Sequence, residues 1–211
     1  MPISLFYSDS AKALYGDAGC FDPWKLCWTP QASGMPADAV AVAPRDAVAL
    51  LARAGLMRRV PAAVIGPRDA KPEEQATAEA LGKGIGALGL QLLCGGKGGV
   101  MEAVCKGCLE AGGLPIGLVP DEEWSAANPY VAIPLATGIG PARNAIIARA
   151  AEVLIAVGGG YGTLSEMAYG LHFDRLVLTL GDAPAVPGAI ACASVEEALD
   201  RACHRLLRLD R

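Results

Sequence analysis

Five consecutive apolar residues, Val153-Leu-Ile-Ala-Val157, run directly into Gly158-Gly-Gly-Tyr-Gly162 and then into Thr163-Leu-Ser-Glu166. A short Val- and Ile-containing run bounded by turn residues suits a strand covered on both faces. Four glycines within five positions let a backbone approach a ligand closely, because no Cβ intervenes. A helical pattern follows at once, and the first N–H groups of such a helix are unpaired and aimed at whatever lies before them. Strand, glycine turn and helix start together describe an anion-binding corner of a parallel α/β sheet.

The rest of the chain repeats this unit. Ala62 to Gly66 reads as a strand ending in glycine, and Pro72-Glu-Glu opens a helix to about Leu88, with proline and acids where a helix start favours them. Leu90 to Cys94 is the next strand, followed by a second glycine turn, Gly95-Gly-Lys-Gly-Gly99. A helix over Val100–Ala111 then stops at Gly112-Gly113. Further strands are predicted at Leu114–Val119, Val153–Val157, Leu176–Leu180 and Ala189–Ala193, with an extended piece over Tyr130–Leu135. Helices are predicted at Pro141–Ala150, Thr163–Phe173 and Val195–Leu209. Strands alternating with helices imply right-handed βαβ units, hence a doubly wound, mostly parallel α/β sheet of Rossmann-like type. Its ligand belongs at the carboxyl ends of the strands, where both glycine turns fall.

Residues 1–60 differ, which divides the chain into an N-terminal extension packed on the main domain (1–60) and a nucleotide-binding domain (61–211). Of 3 Trp, 5 Tyr and 3 Phe, six lie before residue 30: Phe6, Tyr7, Tyr15, Phe21, Trp24 and Trp28. Tyr15 to Cys20 reads as a hairpin turn, Trp28 to Pro36 as a loop, Val40–Ala43 as a strand and Asp46–Met57 as a helix. The aromatics fit core packing better than a pocket lid.

Composition narrows the function. The chain of 211 residues is 53% hydrophobic, yet no apolar run nears the ~20 residues that span a bilayer. The start, Met-Pro-Ile-Ser, lacks the basic residues and apolar core of a signal peptide, which points to the cytoplasm. A net charge of −4 with no basic block argues against a nucleic-acid partner. Seven scattered cysteines fit small buried hydrophobes. Cys105-Lys-Gly-Cys108 lies within a predicted helix without a second pair, so no metal site is expected.

Neither glycine turn matches a common phosphate motif. No G-x-x-x-x-G-K-[ST] is present, and Thr163 takes the last glycine position of G-x-G-x-x-G. Asp182 keeps a dinucleotide reading open. Glu166 admits two roles: capping-box partner of Thr163, or a carboxylate facing bound ligand. Arg143 stands in the first turn of a helix, against the dipole preference, so an anion or carboxylate should meet it. Lys97 is expected to be a solvated loop residue, and His172 and His204 helix-surface residues.

These motifs resemble a known family. Gly158-Gly-Gly-Tyr-Gly-Thr-Leu-Ser-Glu166 is similar to the Pro-Gly-Gly-x-Gly-Thr-x-x-Glu motif of the SLOG superfamily, whose members include the LONELY GUY phosphoribohydrolases. Gly138-Ile-Gly-Pro-Ala-Arg-Asn144 and Gly95 to Ala103 resemble two further segments, with order and spacing kept from about Ala62 to Leu180. Gly158 replaces the family proline, and Asn144 replaces the lysine after the arginine. Both departures look more like a bacterial subgroup that includes molybdenum-cofactor carrier proteins. The resemblance implies Arg143 and Glu166 as catalytic residues, and a homodimer or higher homo-oligomer with its site near the subunit contact. Phosphate and nucleotide contacts are expected at Gly66, Gly95, Gly96, Gly98, Gly99, Met101, Gly158, Gly159, Gly160, Tyr161, Gly162 and Thr163. The ligand expected is a nucleoside 5′-monophosphate or phosphorylated pterin, with no cofactor, nucleic acid or membrane partner. Two readings follow. In one, the N-glycosidic bond is hydrolysed to base and ribose 5-phosphate; in the other, a nucleotide or molybdenum cofactor is bound and carried intact.

Overall fold

A computed structural model describes residues 4–31 and 34–210 and divides into two compact units, Met1–Arg59 with Asp200–Arg211, and Val60–Leu199. The first unit holds β1 (Leu5–Ser8), β2 (Ala13–Gly16), β3 (Gly19–Asp22), β4 (Cys27–Thr29), β5 (Val40–Val42) and α1 (Pro44–Arg53). The strands form one antiparallel sheet in the order β4-β3-β2-β1-β5. The hairpin turn foreseen at Tyr15–Cys20 is present, with Gly16 opposite Gly19. The foreseen loop from Trp28 to Pro36 begins later, since Trp28 and Thr29 belong to β4, and its Ala32 and Ser33 lie outside the described residues. Tyr7 and Phe21 are core residues, whereas Trp24 is exposed beneath the Arg58 guanidinium, 5.1 Å from its ring centre. The chain's last residues join this sheet: the Trp28 indole N–H donates to the Leu207 carbonyl at 2.7 Å, and Arg208 Nε to the Leu26 carbonyl at 3.1 Å.

The second unit contains β6 (Ala62–Ile65), α2 (Pro72–Ala87), β7 (Leu92–Cys94), α3 (Val100–Glu110), β8 (Ile116–Val119) and β9 (Ile133–Ala136). It continues with α4 (Arg143–Ala150), β10 (Val153–Val157), α5 (Tyr161–His172), β11 (Leu176–Leu180) and β12 (Ile190–Ala191). A last helix, α6 (Val195–Leu206), contains the boundary between the units. Seven strands in the order β12-β11-β10-β6-β7-β8-β9 pair in parallel throughout, so the Rossmann-like expectation holds. The strand order reverses between β6 and β10, and such a switch point is where open α/β sheets bind ligands. β6 and β10 are buried along their whole lengths, as their unbroken apolar runs require.

Two of the three glycines of α2, Gly82 and Gly86, which weaken it as an isolated helix, serve its contact with α3. A Cβ on Gly82 would strike the Val104 carbonyl, and one on Gly107 would strike the Glu79 carbonyl. The two helices therefore pack backbone to backbone. Among the described residues, no helix is long and apolar enough to cross a membrane.

Candidate functional site

The carboxyl ends of β6, β7 and β10 enclose a pocket of about 230 Å³. Gly66, Pro67 and Arg68 come from the end of β6, Gly95 and Met101 from the turn and helix after β7, Arg143 and Asn144 from α4, and Gly160, Gly162, Thr163 and Glu166 from the start of α5. Eight of the sequence-predicted residues thus meet in one place: Gly66, Gly95, Met101, Arg143, Gly160, Gly162, Thr163 and Glu166. The other six, Gly96, Gly98, Gly99, Gly158, Gly159 and Tyr161, lie outside the lining, and Tyr161 is 94% exposed.

Helix α5 begins two residues before the expected start. Gly160 is its N-cap, and the first ladder bond runs from the Leu164 amide to the Gly160 carbonyl at 2.9 Å. This overturns the capping-box reading, because Thr163 already lies inside the helix. The Glu166 carboxylate instead accepts from Arg143 Nη1 at 3.1 Å. Both side chains are under a tenth exposed, at 9% and 7%. Arg143 Nη1 also donates to Asn144 Oδ1 at 2.7 Å, and Nη2 to the Gly95 carbonyl at 3.4 Å, while its buried Nε has no partner. The expectation that Arg143 meets a carboxylate holds, and the carboxylate is the other candidate residue. Burial pushes the Glu166 carboxyl up to about 7 even though Arg143 pulls in the opposite direction.

Asn144, noted in the sequence only as a replacement, is a link. Its amide nitrogen donates to Ser165 Oγ at 3.0 Å and to the Gly162 carbonyl at 3.4 Å, so the start of α4 is tied to the start of α5. Ser165 Oγ in turn donates to the Gly162 carbonyl at 2.7 Å. Lys97 differs from expectation: it is 16% exposed, pairs with Asp121 at 2.9 Å and donates to the Ala126 carbonyl at 2.8 Å. Its charge holds the loop after β8 and does not face the pocket.

Beneath the first glycine turn, Cys94 Sγ lies 3.3 Å from Cys105 Sγ and accepts the Gly96 N–H, also at 3.3 Å. The contact to Cys94, then burial, pushes the Cys105 thiol far above its ordinary range. The buried thiols thus act as packing and hydrogen-bonding groups, and Cys105 meets Cys94 and not its CxxC neighbour Cys108. Among the described residues, no group of three or more His, Cys, Asp or Glu is arranged to hold a metal ion.

The SLOG cluster4 family model matches residues 59–202. A protein of Archaeoglobus fulgidus is 37% identical over 144 residues, covering 68% of this chain and 95% of that protein. A molybdenum cofactor binding protein from Rippkaea orientalis has a similar structure (TM-score 0.66, 33% identity), with 69% of this chain and 96% of that one aligned. So does the molybdenum cofactor carrier protein of Chlamydomonas reinhardtii (TM-score 0.63, 36% identity), over 70% and 98% of the two chains.

Proposed function

The chain belongs to the SLOG cluster4 family, and on that footing we propose that it is a binding and carrier protein for a phosphorylated pterin of the molybdenum-cofactor type, held without cleavage. The observation that carries this reading is the Arg143–Glu166 pair. A phosphoribohydrolase needs a carboxylate free to face the developing positive charge at the sugar carbon. Here that carboxylate is buried against an arginine whose terminal nitrogens also donate to Asn144 and Gly95. Likeness to carrier proteins over nearly their full length supports the same choice.

The pocket suits one end of such a cargo. The amides at the start of α5 precede its hydrogen-bond ladder and favour an anion there. At about 230 Å³ the pocket is smaller than the ~300 Å³ at which ligand pockets begin to enclose drug-sized molecules. It would take the phosphate and the ring bearing it, with the remainder of the pterin outside. This reading also places the protein in the cytoplasm as a homodimer, which light scattering would check.

Two incubations test it. Molybdenum cofactor released from a donor molybdoenzyme should bind and raise the melting temperature; a ligand at 100 times its Kd adds ~2.7 kcal/mol. Incubation with AMP should release no ribose 5-phosphate. Release at a catalytic rate would restore the hydrolase reading, and absence of cofactor binding would remove the carrier reading.

A further inference from the structure

We propose that Arg68, not Arg143, gives the pocket its preference for a phosphate-bearing ligand; this rests on the carrier reading above. Three ionisable side chains line the pocket: Arg68, Arg143 and Glu166. Arg143 and Glu166 form a buried pair at 3.1 Å. Asn144 and the Gly95 carbonyl take further Arg143 donors. Both terminal nitrogens of the guanidinium that a sequence motif would assign to the ligand are therefore already bound to protein, and only the buried Nε is without a partner. The remaining cation is Arg68, which is exposed and has no ion-pair partner within 4 Å among the described residues.

The mounting of Arg68 fits a binding role. Its backbone is held firmly, because the neighbouring Pro67 carbonyl accepts the Val100 amide at 3.1 Å. The Gly99 backbone also lies so close beneath the Pro67 and Arg68 carbonyls that a Cβ there would strike both. The side chain carries no comparable restraint. Two carboxylates stand in its neighbourhood: Asp121, already paired with Lys97 at 2.9 Å, and Glu102, whose Oε2 and Arg68 Cγ both approach Gly98. A guanidinium on a fixed base, lining a pocket that the start of α5 also lines, can meet a phosphate with two parallel N–H donors. Helix-start amides would hold the other oxygens.

A pair of probes separates this from the reading it depends on. Oxidation of molybdenum cofactor yields a fluorescent phosphorylated pterin, and phosphatase treatment gives the same pterin without phosphate. The wild type should bind the phosphorylated form more tightly, with affinity falling as salt rises. Arg68→Gln should weaken that form about tenfold, flatten the salt dependence, leave the phosphate-free form unaffected and keep the melting temperature. Arg68→Lys should fall between the two. Equal binding of the phosphorylated form by wild type and Arg68→Gln would overturn the assignment while leaving the carrier reading intact. A wild type indifferent to the phosphate would do the same. A wild type that binds neither pterin nor the unoxidised cofactor would overturn both.

Discussion

The turns after β7 and β10 each place four glycines in five positions, and the two sets face different things. In the first, Gly96 is pressed against the Val119 side chain, and Gly99 lies under the Pro67 and Arg68 carbonyls. Only Gly95 reaches the pocket, and the room above it is filled by the Arg143 guanidinium. In the second, a Cβ on Gly160 would meet nothing within 4 Å, and one on Gly162 would only graze the Asn144 amide at 4.0 Å. Both of these line the pocket. The first turn thus packs Gly95, Gly96 and Gly99 against protein, whereas in the second Gly160 and Gly162 leave the pocket wall unobstructed and only Gly158 and Gly159 are crowded. Glycine density alone does not separate these uses; the neighbour that a methyl group would meet does.

Gly99→Ala should cause the largest loss. Gly99 has φ of +67° and ψ of −127°, a conformation essentially restricted to glycine, with backbone oxygens crowding it that have no room to withdraw. A loss of ~3 kcal/mol or more is expected in urea unfolding; near-wild-type stability would show that the first turn is as open as the second.

Next comes the pH response of Glu166, which lines the pocket with Gly95 of the first turn and Gly160 and Gly162 of the second. The unfolded carboxyl releases its proton near 4.5 and the folded one near 7, so the folded state binds the extra proton between these values. This contribution is fully present below about 4.5 and is lost as pH rises through about 7. Melting temperatures of wild type and Glu166→Gln from pH 5 to 8 should show the wild type losing roughly 2–3 kcal/mol relative to the variant. A constant difference would mean that Glu166 stays ionised throughout.

Gly158→Ala probes a residue of the second turn that behaves like the first, as Gly159 also does against the Thr163 side chain. The φ of Gly158 is +58°, and a Cβ would strike the Glu74 carboxylate, which caps α2 through the Lys71 amide at 2.7 Å. A left-handed alanine costs ~1–2 kcal/mol, and displacing the cap adds about 1 kcal/mol for the loss of the Lys71 amide bond. Thermal melts should place it between Gly99→Ala and wild type. Gly162→Ala should have the smallest effect on folding: it is helical and unobstructed, so the gain is at most ~1 kcal/mol. Its methyl would stand in the pocket, so pterin affinity should fall while the melting temperature holds or rises. If stability drops and affinity does not, the two turns have been assigned the wrong way round.

The sequence made the sheet readable because β10 is a five-residue apolar run and β11 is broken only by Thr179, both bounded by turn residues, and burial on both faces permits little else. Element edges were less readable. Tyr161 and Gly162 have little helix preference, so Thr163 looks like the cap; in three dimensions Gly160 takes that position, and Glu166 turns to Arg143. The individual charges gave no sign of their partners. Lys97 reads as a solvated loop residue because Asp121 is 24 positions away, and Arg68 is one cation after an ordinary Gly-Pro turn. Arg143 was conspicuous only through its unfavourable place at a helix start. Asn144 was visible as a departure from the family pattern, but its two bonds to the α5 segment depend on a tertiary contact no local pattern encodes.

The antiparallel sheet at the start of the chain closes with material from its far end, through Leu207 and Arg208. That unit is therefore not a contiguous stretch which can be cut out and expressed. A fragment stopping at Arg59 would leave the Trp28 indole and the Leu26 carbonyl without their partners from the turn after α6, and trimming that turn would damage strands nearly two hundred positions upstream. Grafting or truncation experiments on either terminus should treat the two ends as one inherited part.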